Sequence, residues 1–472
     1  MLTGFQANLQ SPVPVYRQLA DFIRDAIQMG SLRNNDRLPA TRELASQLNL
    51  NRTTVSAAYA VLEEIGLVEG QVGRGSFVRS GEEREPARRV APISFASSRP
   101  ADHEFPLADF QTTCREVAAS SEAVSILQLG SPLGYGPLRR YLLAEARREG
   151  CAGPEDDVLI TSGCQQGLDL TERVLRQPST PVVVEDPVYH GIRNVFGRAG
   201  QHLVGVPVGP GGINLEALAR TLADLRPGLL VLTPNFQNPT GETLDLDSRV
   251  RLLDLVRQFD VTLVENDTYG ALRYVGEPLP TLKQLDPSGR VILLRSFSKI
   301  AFPGLRVGWM IGSRAVIARL ADARQWCDLH TDQLSQAILL RFLESGRLTA
   351  HLDRVCEAGR FRLEAALEAC RRHLPAGSTY TCPEGGMNIW VRLPEPLDAG
   401  MLLPRMEREH VTYLPGSYFG VTRQDPGTLR LSFGSLTPDG IRAGIATIGR
   451  VCSEELARSN GSICIGDASA VV

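Results

Sequence analysis

Val291-Ile292-Leu293-Leu294-Arg295-Ser296-Phe297-Ser298-Lys299 reads as a short apolar strand that empties into a Ser-x-Ser-Lys loop. Its final residue stands out, because Lys283 and Lys299 are the only lysines among 50 basic side chains and all the others are arginine. A lysine amine can lose its proton and condense with an aldehyde, whereas guanidinium stays protonated and is a poor nucleophile. A lysine placed after a buried strand therefore points to amine chemistry, most simply a Schiff base to pyridoxal phosphate. The bland alternative is a solvated surface lysine, and the surrounding chain has to decide between them.

Outward from that strand the texture repeats. Val182-Val183-Val184, Leu229-Leu230-Val231-Leu232 and Val261-Thr262-Leu263-Val264 alternate with helical segments such as 247–259. This is the rhythm of a mostly parallel sheet covered by helices on both faces. From about residue 351 an Arg-rich helix and short strands near 387–391 and 429–433 predict a smaller C-terminal α+β domain over 351–455, leaving 93–350 as the large domain and 456–472 as a loose tail. Residues 80–92 are charged, bounded by glycine and proline, and free of apolar periodicity, as expected of a linker. Before them, Val15, Leu19, Phe22, Ile23 and Ala26 follow helical spacing.

The whole chain of 472 residues carries a formal net charge of -3, so no global field marks it as a nucleic-acid or membrane binder. No run reaches the roughly 18 apolar residues of a membrane span and no signal peptide is evident, which predicts a cytoplasmic protein without membrane contact. Nine cysteines form no C-x-x-C pair and seven histidines no ligand cluster, so reduced thiols and no structural metal are expected.

Candidates for a complete pyridoxal phosphate site occur in order. Thr161-Ser162-Gly163-Cys164-Gln165-Gln166-Gly167 follows a strand and opens a helix, where backbone N–H groups and the helix dipole can meet a phosphate. Val184-Glu185-Asp186-Pro187-Val188-Tyr189 sets an aromatic ring just past a strand end, as a stacking partner or as a packed turn residue. Pro234-Asn235-Phe236-Gln237-Asn238-Pro239 fixes an amide beside a prolyl bond, suited to a phenolic oxygen. Seven residues beyond Lys299, Arg306 offers a fork for phosphate. Arg430, within Leu429-Arg430-Leu431-Ser432-Phe433, alternates away from its apolar neighbours, either towards a ligand or into solvent.

The N-terminal part predicts a helix from Thr41, a tight turn, and a second helix capped by Asn51, with Arg52, Thr53 and Thr54 at its start. A hairpin around Val72-Gly73-Arg74-Gly75-Ser76-Phe77-Val78 follows as a wing. Residues 1–80 hold eight arginines against seven acids, so charge supports DNA contact only weakly.

Together these motifs carry two resemblances. Pro14-Val15-Tyr16-Arg17-Gln18-Leu19, Leu38-Pro39-Ala40-Thr41-Arg42-Glu43-Leu44-Ala45 and the 73–78 run resemble the GntR winged helix-turn-helix over 12–79. By that resemblance Arg42, Arg52, Thr53, Thr54 and Arg74 contact double-stranded operator DNA, with Arg52 reading bases and Arg42 and Arg74 mostly touching phosphate. Residues 93–455 are similar to the fold-type I aminotransferases, which implies an α/β pyridoxal-phosphate fold. By that second resemblance Lys299 carries the cofactor as an aldimine and acts as the catalytic residue. Ser296, Ser298 and Arg306 hold phosphate with the backbone of Gly163, Cys164 and Gln165, Tyr189 stacks, and Asn238 and Tyr269 meet the phenolic oxygen. Arg430 clamps a substrate or effector carboxylate.

Two departures from the family follow. Cys164 stands where serine is common, a change that a backbone contact tolerates. The family's ring-nitrogen aspartate lies three residues before its tyrosine, and counting back from Tyr269 lands on Asn266, with Asp267 one residue on and turned to the other side unless a bulge restores it. A neutral amide cannot stabilise a pyridinium as a carboxylate does, so Asn266 implies amine binding with slow proton abstraction.

A GntR winged helix joined to an aminotransferase-like domain resembles the MocR/GabR-type transcription regulators. That implies a homodimer with exchanged DNA-binding domains that senses an amine, an amino acid or pyridoxal phosphate itself. A working aminotransferase with an appended DNA-binding domain is the alternative; Asn238 favours it and Asn266 opposes it.

Overall fold

The computed structural model describes residues 14–466 except 29–30, 33–34, 72–74, 80–91, 178 and 423, together with 5, 7 and 8. Contacts divide the chain into two units, 1–90 and 91–472.

In the first unit, the helices Val15–Gln28, Thr41–Leu48 and Arg52–Glu64 precede an antiparallel pair, Val68–Gln71 with Gly75–Val78. Asn49, at φ 50°, ends the second helix in the left-handed region, which asparagine tolerates. Two residues later Asn51 Oδ1 accepts from Thr53 N at 3.1 Å and starts the third helix. Leu19, Ile23, Leu44, Val55, Ala58 and Leu62 close the core, and the buried Tyr59 hydroxyl donates to Pro39 O at 2.8 Å. This is the expected helix-turn-helix with a two-stranded wing.

The second unit is built on an eight-stranded sheet in the spatial order Asp156–Thr161, Gly308–Ser313, Val291–Ser296, Thr262–Asn266, Leu229–Leu232, Val182–Asp186, Leu203–Gly209, Gly212–Ile213. The run from Val291–Ser296 to Leu203–Gly209 is parallel, and Gly308–Ser313 is antiparallel to both of its neighbours. Val291–Leu294 is fully buried, as a continuous apolar strand between helical layers must be. Separate hydrophobic clusters pack on the two faces of this sheet. Because the parallel strands end together, the loops after 161, 186, 232, 266 and 296 gather along one edge, where such sheets bind ligands.

Beyond the 27-residue helix Arg347–His373, a four-stranded sheet orders as Thr379–Tyr380, Asn388–Arg392, Thr428–Ser432, Leu414–Pro415. Two expected boundaries change here. Ile93–Ser94, assigned to the large domain, pairs in parallel with Val411–Thr412, and Phe95 is buried in the smaller lobe's core, so the first residues after the linker belong to that lobe. Of the loose tail expected over 456–472, residues 456–466 are instead part of the helix Pro438–Gly466, and 467–472 lie outside the described residues. Leu456 packs on the same core one turn after Cys452, which gives that turn an apolar anchor. The linker 80–92 falls almost wholly outside the described residues.

Candidate functional site

A cavity of about 290 Å3 opens at the strand-end edge. Cys164, Gln165, Tyr189, Asn238, Asn266, Tyr269, Ser296, Ser298, Lys299, Arg306 and Arg430 all line it. The strand Val291–Ser296 delivers the lysine by turning into a single 3-10 turn, Phe297–Lys299. Ser296 Oγ accepts from Ser298 N at 3.1 Å and meets Ser298 Oγ at 2.9 Å, so the two hydroxyls are fixed as a pair. Arg306, held at φ 54° between two strands, reaches Ser298 Oγ at 3.3 Å and Ser162 O at 3.2 Å.

Gly163 completes that corner. It has φ 79° and ψ 175°, a region open essentially to glycine alone, and a Cβ there would lie 2.5 Å from Arg306 Nη2. The helix Cys164–Leu175 begins immediately after it without a side-chain cap, and the N–H groups of its first turn have no partner within the helix. Burial pushes the Cys164 thiol up to about 11, so it behaves as a packed neutral group.

On the opposite side, Arg430 is 2 % exposed. Nη1 donates to Asn238 Oδ1 at 3.0 Å, Nη2 donates to Ala96 O, and the guanidinium lies 5.0 Å from the Phe419 ring centroid. Its Nε is buried with no partner. Burial lowers its pKa from the ordinary value, the direction expected of a cation denied a full counter-charge. Asn238 Nδ2 donates to the Tyr269 hydroxyl at 3.4 Å, so one amide joins the tyrosine to the arginine. Lys299 Nζ lies 5.9 Å from the Tyr269 ring centroid and donates to Ser98 O.

Asn266 and Asp267 part company. Asn266 lines the cavity, accepting from Thr268 Oγ1 at 2.8 Å and donating to Thr233 Oγ1 at 3.3 Å. Asp267 does not line it. Its carboxylate accepts from Asn235 Nδ2 and Arg295 Nε, both at 2.9 Å, on the far side of the strand end. The structure therefore removes Asp267 from the candidate cofactor residues: strand alternation turns it outward, and an arginine neutralises it there.

Sequence reasoning missed Ser98, Ala96, Thr268 and His190. Ala96 and Ser98 act through backbone carbonyls, which leave no mark on residue type. His190 is adjacent to the motif tyrosine, 4.6 Å between ring centroids, and burial, with Arg430 and Arg193 nearby, pushes its pKa down. In the first unit Arg42, Arg52 and Thr53 are exposed and Thr54 is half-buried. Arg74 lies outside the described residues.

A family model described as aminotransferase class I and II matches residues 108–448, and one described as bacterial regulatory proteins, gntR family, matches 15–78. Aromatic-amino-acid aminotransferase 1 of Thermococcus litoralis is 37% identical over 77% of this chain and 88% of its own. The probable rhizopine catabolism regulatory protein MocR of Rhizobium meliloti is 30% identical over 90% of this chain and 93% of its own. Among solved structures, the α-aminoadipate aminotransferase LysN of Thermus thermophilus, complexed with N-(5'-phosphopyridoxyl)-L-leucine, superposes with a TM-score of 0.73 at 36% identity, covering 78% of this chain and 93% of that one.

The donor set fits pyridoxal phosphate. A lysine amine, a pair of hydroxyls beside an arginine and a helix N-terminus, and a phenol joined to an amide surround one cavity. The Gly163 cradle leaves room that any side chain would take. Arg430 Nε, buried without a partner, leaves one donor of that cation unmet.

Proposed function

The chain belongs to the class I and II aminotransferase family and is, in its domain make-up, a MocR-like regulator with a gntR-family domain ahead of that fold. From that premise we propose that it is a cytoplasmic, homodimeric transcription regulator that binds operator DNA through residues 15–78 and senses an amine-bearing ligand through pyridoxal phosphate held at Lys299. When bound, the cofactor supplies an aldehyde that exchanges amines and a ring that withdraws electrons from the carbon they carry. Ser296, Ser298, Arg306 and the N-terminus of Cys164–Leu175 would hold its phosphate, Tyr189 would flank its ring, and Asn238 with Tyr269 would meet its phenolic oxygen.

One observation carries the reading. Lys299 sits between a built anion corner and a second, buried, incompletely paired cation, Arg430, in a chain that also carries a DNA-binding unit. Arg430 orients a ligand carboxylate, and the cavity wall excludes water from it. Asn266 offers no negative charge to a ring nitrogen, so the site holds amines better than it strips their α-proton. Arg52 and Thr53, exposed at the start of the third helix, are the side chains available to base edges.

Asn238, tied to both Tyr269 and Arg430, favours a second reading as a working aminotransferase. Turnover separates the two, while visible absorbance and binding to the DNA upstream of the protein's own gene test the cofactor and DNA claims that they share. The expected protein is coloured, loses its colour in Lys299→Ala, and loses DNA binding in Arg52→Ala with colour intact. Sustained turnover of amino acid with a keto acid would establish the enzyme instead, and a colourless wild type would end the cofactor reading.

A further inference from the structure

The segment that follows the linker lines the cavity with Ala96, Ser97 and Ser98. Ile93 N donates to His410 O and Phe95 N to Thr412 O, both at 2.8 Å, and Ser432 N donates to Phe95 O at 3.0 Å. These bonds stitch the segment to the smaller lobe. The next residues then meet the site's cations, with Ala96 O accepting from Arg430 Nη2 and Ser98 O accepting from Lys299 Nζ. Ser98 Oγ is itself tied to Asn388 Oδ1 at 2.6 Å and Ser432 Oγ at 3.0 Å.

Arg430 is therefore half-occupied in a specific way. Nε and Nη2 lie along one edge of a guanidinium and together take a carboxylate through two parallel bonds. In this protein Nε has no partner while Nη2 is held by a backbone carbonyl. A carbonyl dipole is a poor counter-charge for a buried cation, and an unpaired buried donor costs free energy. An anion that supplies both bonds brings a full counter-charge to that edge, and it competes with the Ala96 carbonyl for the same nitrogen, Nη2.

Resting on the sensor reading above, we propose that residues 95–98 form a strap which a ligand carboxylate releases by displacing the Ala96 carbonyl from Arg430. Release of the strap is the signal passed along the chain to the DNA-binding unit. The effector is accordingly a carboxylate-bearing amine, and an amine without the carboxylate occupies the site silently. The strap is placed to transmit, because residue 93 directly follows the linker in sequence and no other described segment touches both Lys299 and Arg430 through its backbone.

Two stable conjugates test this on the full-length protein stripped of cofactor: N-(5'-phosphopyridoxyl)-L-leucine, and N-(5'-phosphopyridoxyl)-3-methylbutylamine, which lacks only the carboxylate. Amide hydrogen exchange is read for Phe95, Ala96 and Arg99, alongside affinity for the upstream DNA. The leucine conjugate should speed exchange about tenfold, the scale of one lost charge-assisted bond, and change DNA affinity. The amine conjugate should bind and change neither. Ser98→Ala, which cuts the ties to Asn388 and Ser432 but keeps the carbonyl, should exchange fast without any conjugate and respond less to the leucine one. Equal responses to both conjugates would overturn the role of the carboxylate. A DNA response without faster strap exchange would overturn the strap but leave the sensor standing, whereas failure of both conjugates to bind would remove the sensor reading and the strap with it.

Discussion

Replacing Gly163 by alanine tests the anion corner through its tightest contact. The backbone at φ 79°, ψ 175° costs a non-glycine residue about 1–3 kcal/mol, so the variant should be destabilised whether or not the corner binds anything. The second effect is specific: the new Cβ would lie 2.5 Å from Arg306 Nη2 and 3.1 Å from its Cζ. The guanidinium must move away from Ser298 Oγ, and one phosphate-directed donor leaves with it. A charge-assisted hydrogen bond is worth about 1.5–3 kcal/mol, so affinity for pyridoxal phosphate should fall roughly 10- to 100-fold. Equilibrium dialysis against pyridoxal phosphate and against pyridoxal, which lacks the phosphate, separates this from general damage, because only the first should lose affinity. Gly200→Ala is the control. Its φ of 75° also disfavours a side chain, but nothing lies within 4 Å of its Cβ, and cofactor affinity should be unchanged. Equal losses for the two ligands, or a loss for pyridoxal phosphate below about threefold, would refute the corner as the phosphate site.

Arg430→Gln should weaken amino-acid binding on the order of 100-fold while barely affecting the matching decarboxylated amine, measured by spectral titration of the cofactor-loaded protein; parallel losses would place the carboxylate elsewhere. Asn266→Asp, between the Thr233 and Thr268 hydroxyls, should accelerate exchange of the ligand's α-proton for deuterium, followed by NMR, and an unchanged rate would remove Asn266 as the brake on chemistry. Glu185 is fully buried, and burial pushes its carboxyl up to about 8 from an ordinary value of 4.5. The folded protein then keeps a proton that the unfolded chain has lost, so this group lowers stability progressively as pH rises from about 4.5 to about 8. Glu185→Gln, which still accepts from Thr233 N, should flatten that part of the pH–stability curve, and thermal melts across the window with an unchanged slope would contradict the assignment.

Much of the site was legible because its chemistry is carried by residue type at strand ends. The apolar run before Lys299 announces a doubly covered strand, and the loops containing Gly163, Tyr189, Asn238 and Arg306 each follow a strand or turn the sequence makes plain. Alternation alone was enough to send Asn266 and Asp267 to opposite sides; what it did not reveal was the destination of Asp267, since Arg295 lies 28 residues away and pairs with it only across neighbouring strands. Rarity was a less selective signal than it looked. Lys283 is buried where Lys299 is only half-buried, 4 % exposed at its side chain and paired with Asp156 at 3.1 Å, yet it stands outside the cavity. Ile93–Ser94 was illegible for a different reason: a two-residue parallel pairing with 411–412 has no periodicity of its own, and a domain boundary drawn at the linker hides it. The last turns of the final helix were hidden by the polar, glycine-containing run 458–462, just after the leucine that supplies the anchor.

The strap's meaning for regulation follows from linkage rather than from distance. A ligand shifts an equilibrium only by its differential affinity for the two states, and with the strap engaged a carboxylate meets an Arg430 edge already half taken. With the strap released, the same edge is fully open. The difference is one charge-assisted bond, which sets the scale of coupling at about 1.5–3 kcal/mol, within the range by which effectors ordinarily change a second site. Reciprocity then fixes the converse: if operator DNA prefers one strap state, it must change carboxylate affinity by the same factor. An amine that pairs with the aldehyde but leaves Ala96 on Arg430 has equal affinity for both states and moves neither, however tightly it binds. Specificity for signalling is thereby separated from specificity for binding, and the separation resides in which of two oxygens, Ala96's or the ligand's, faces one edge of Arg430.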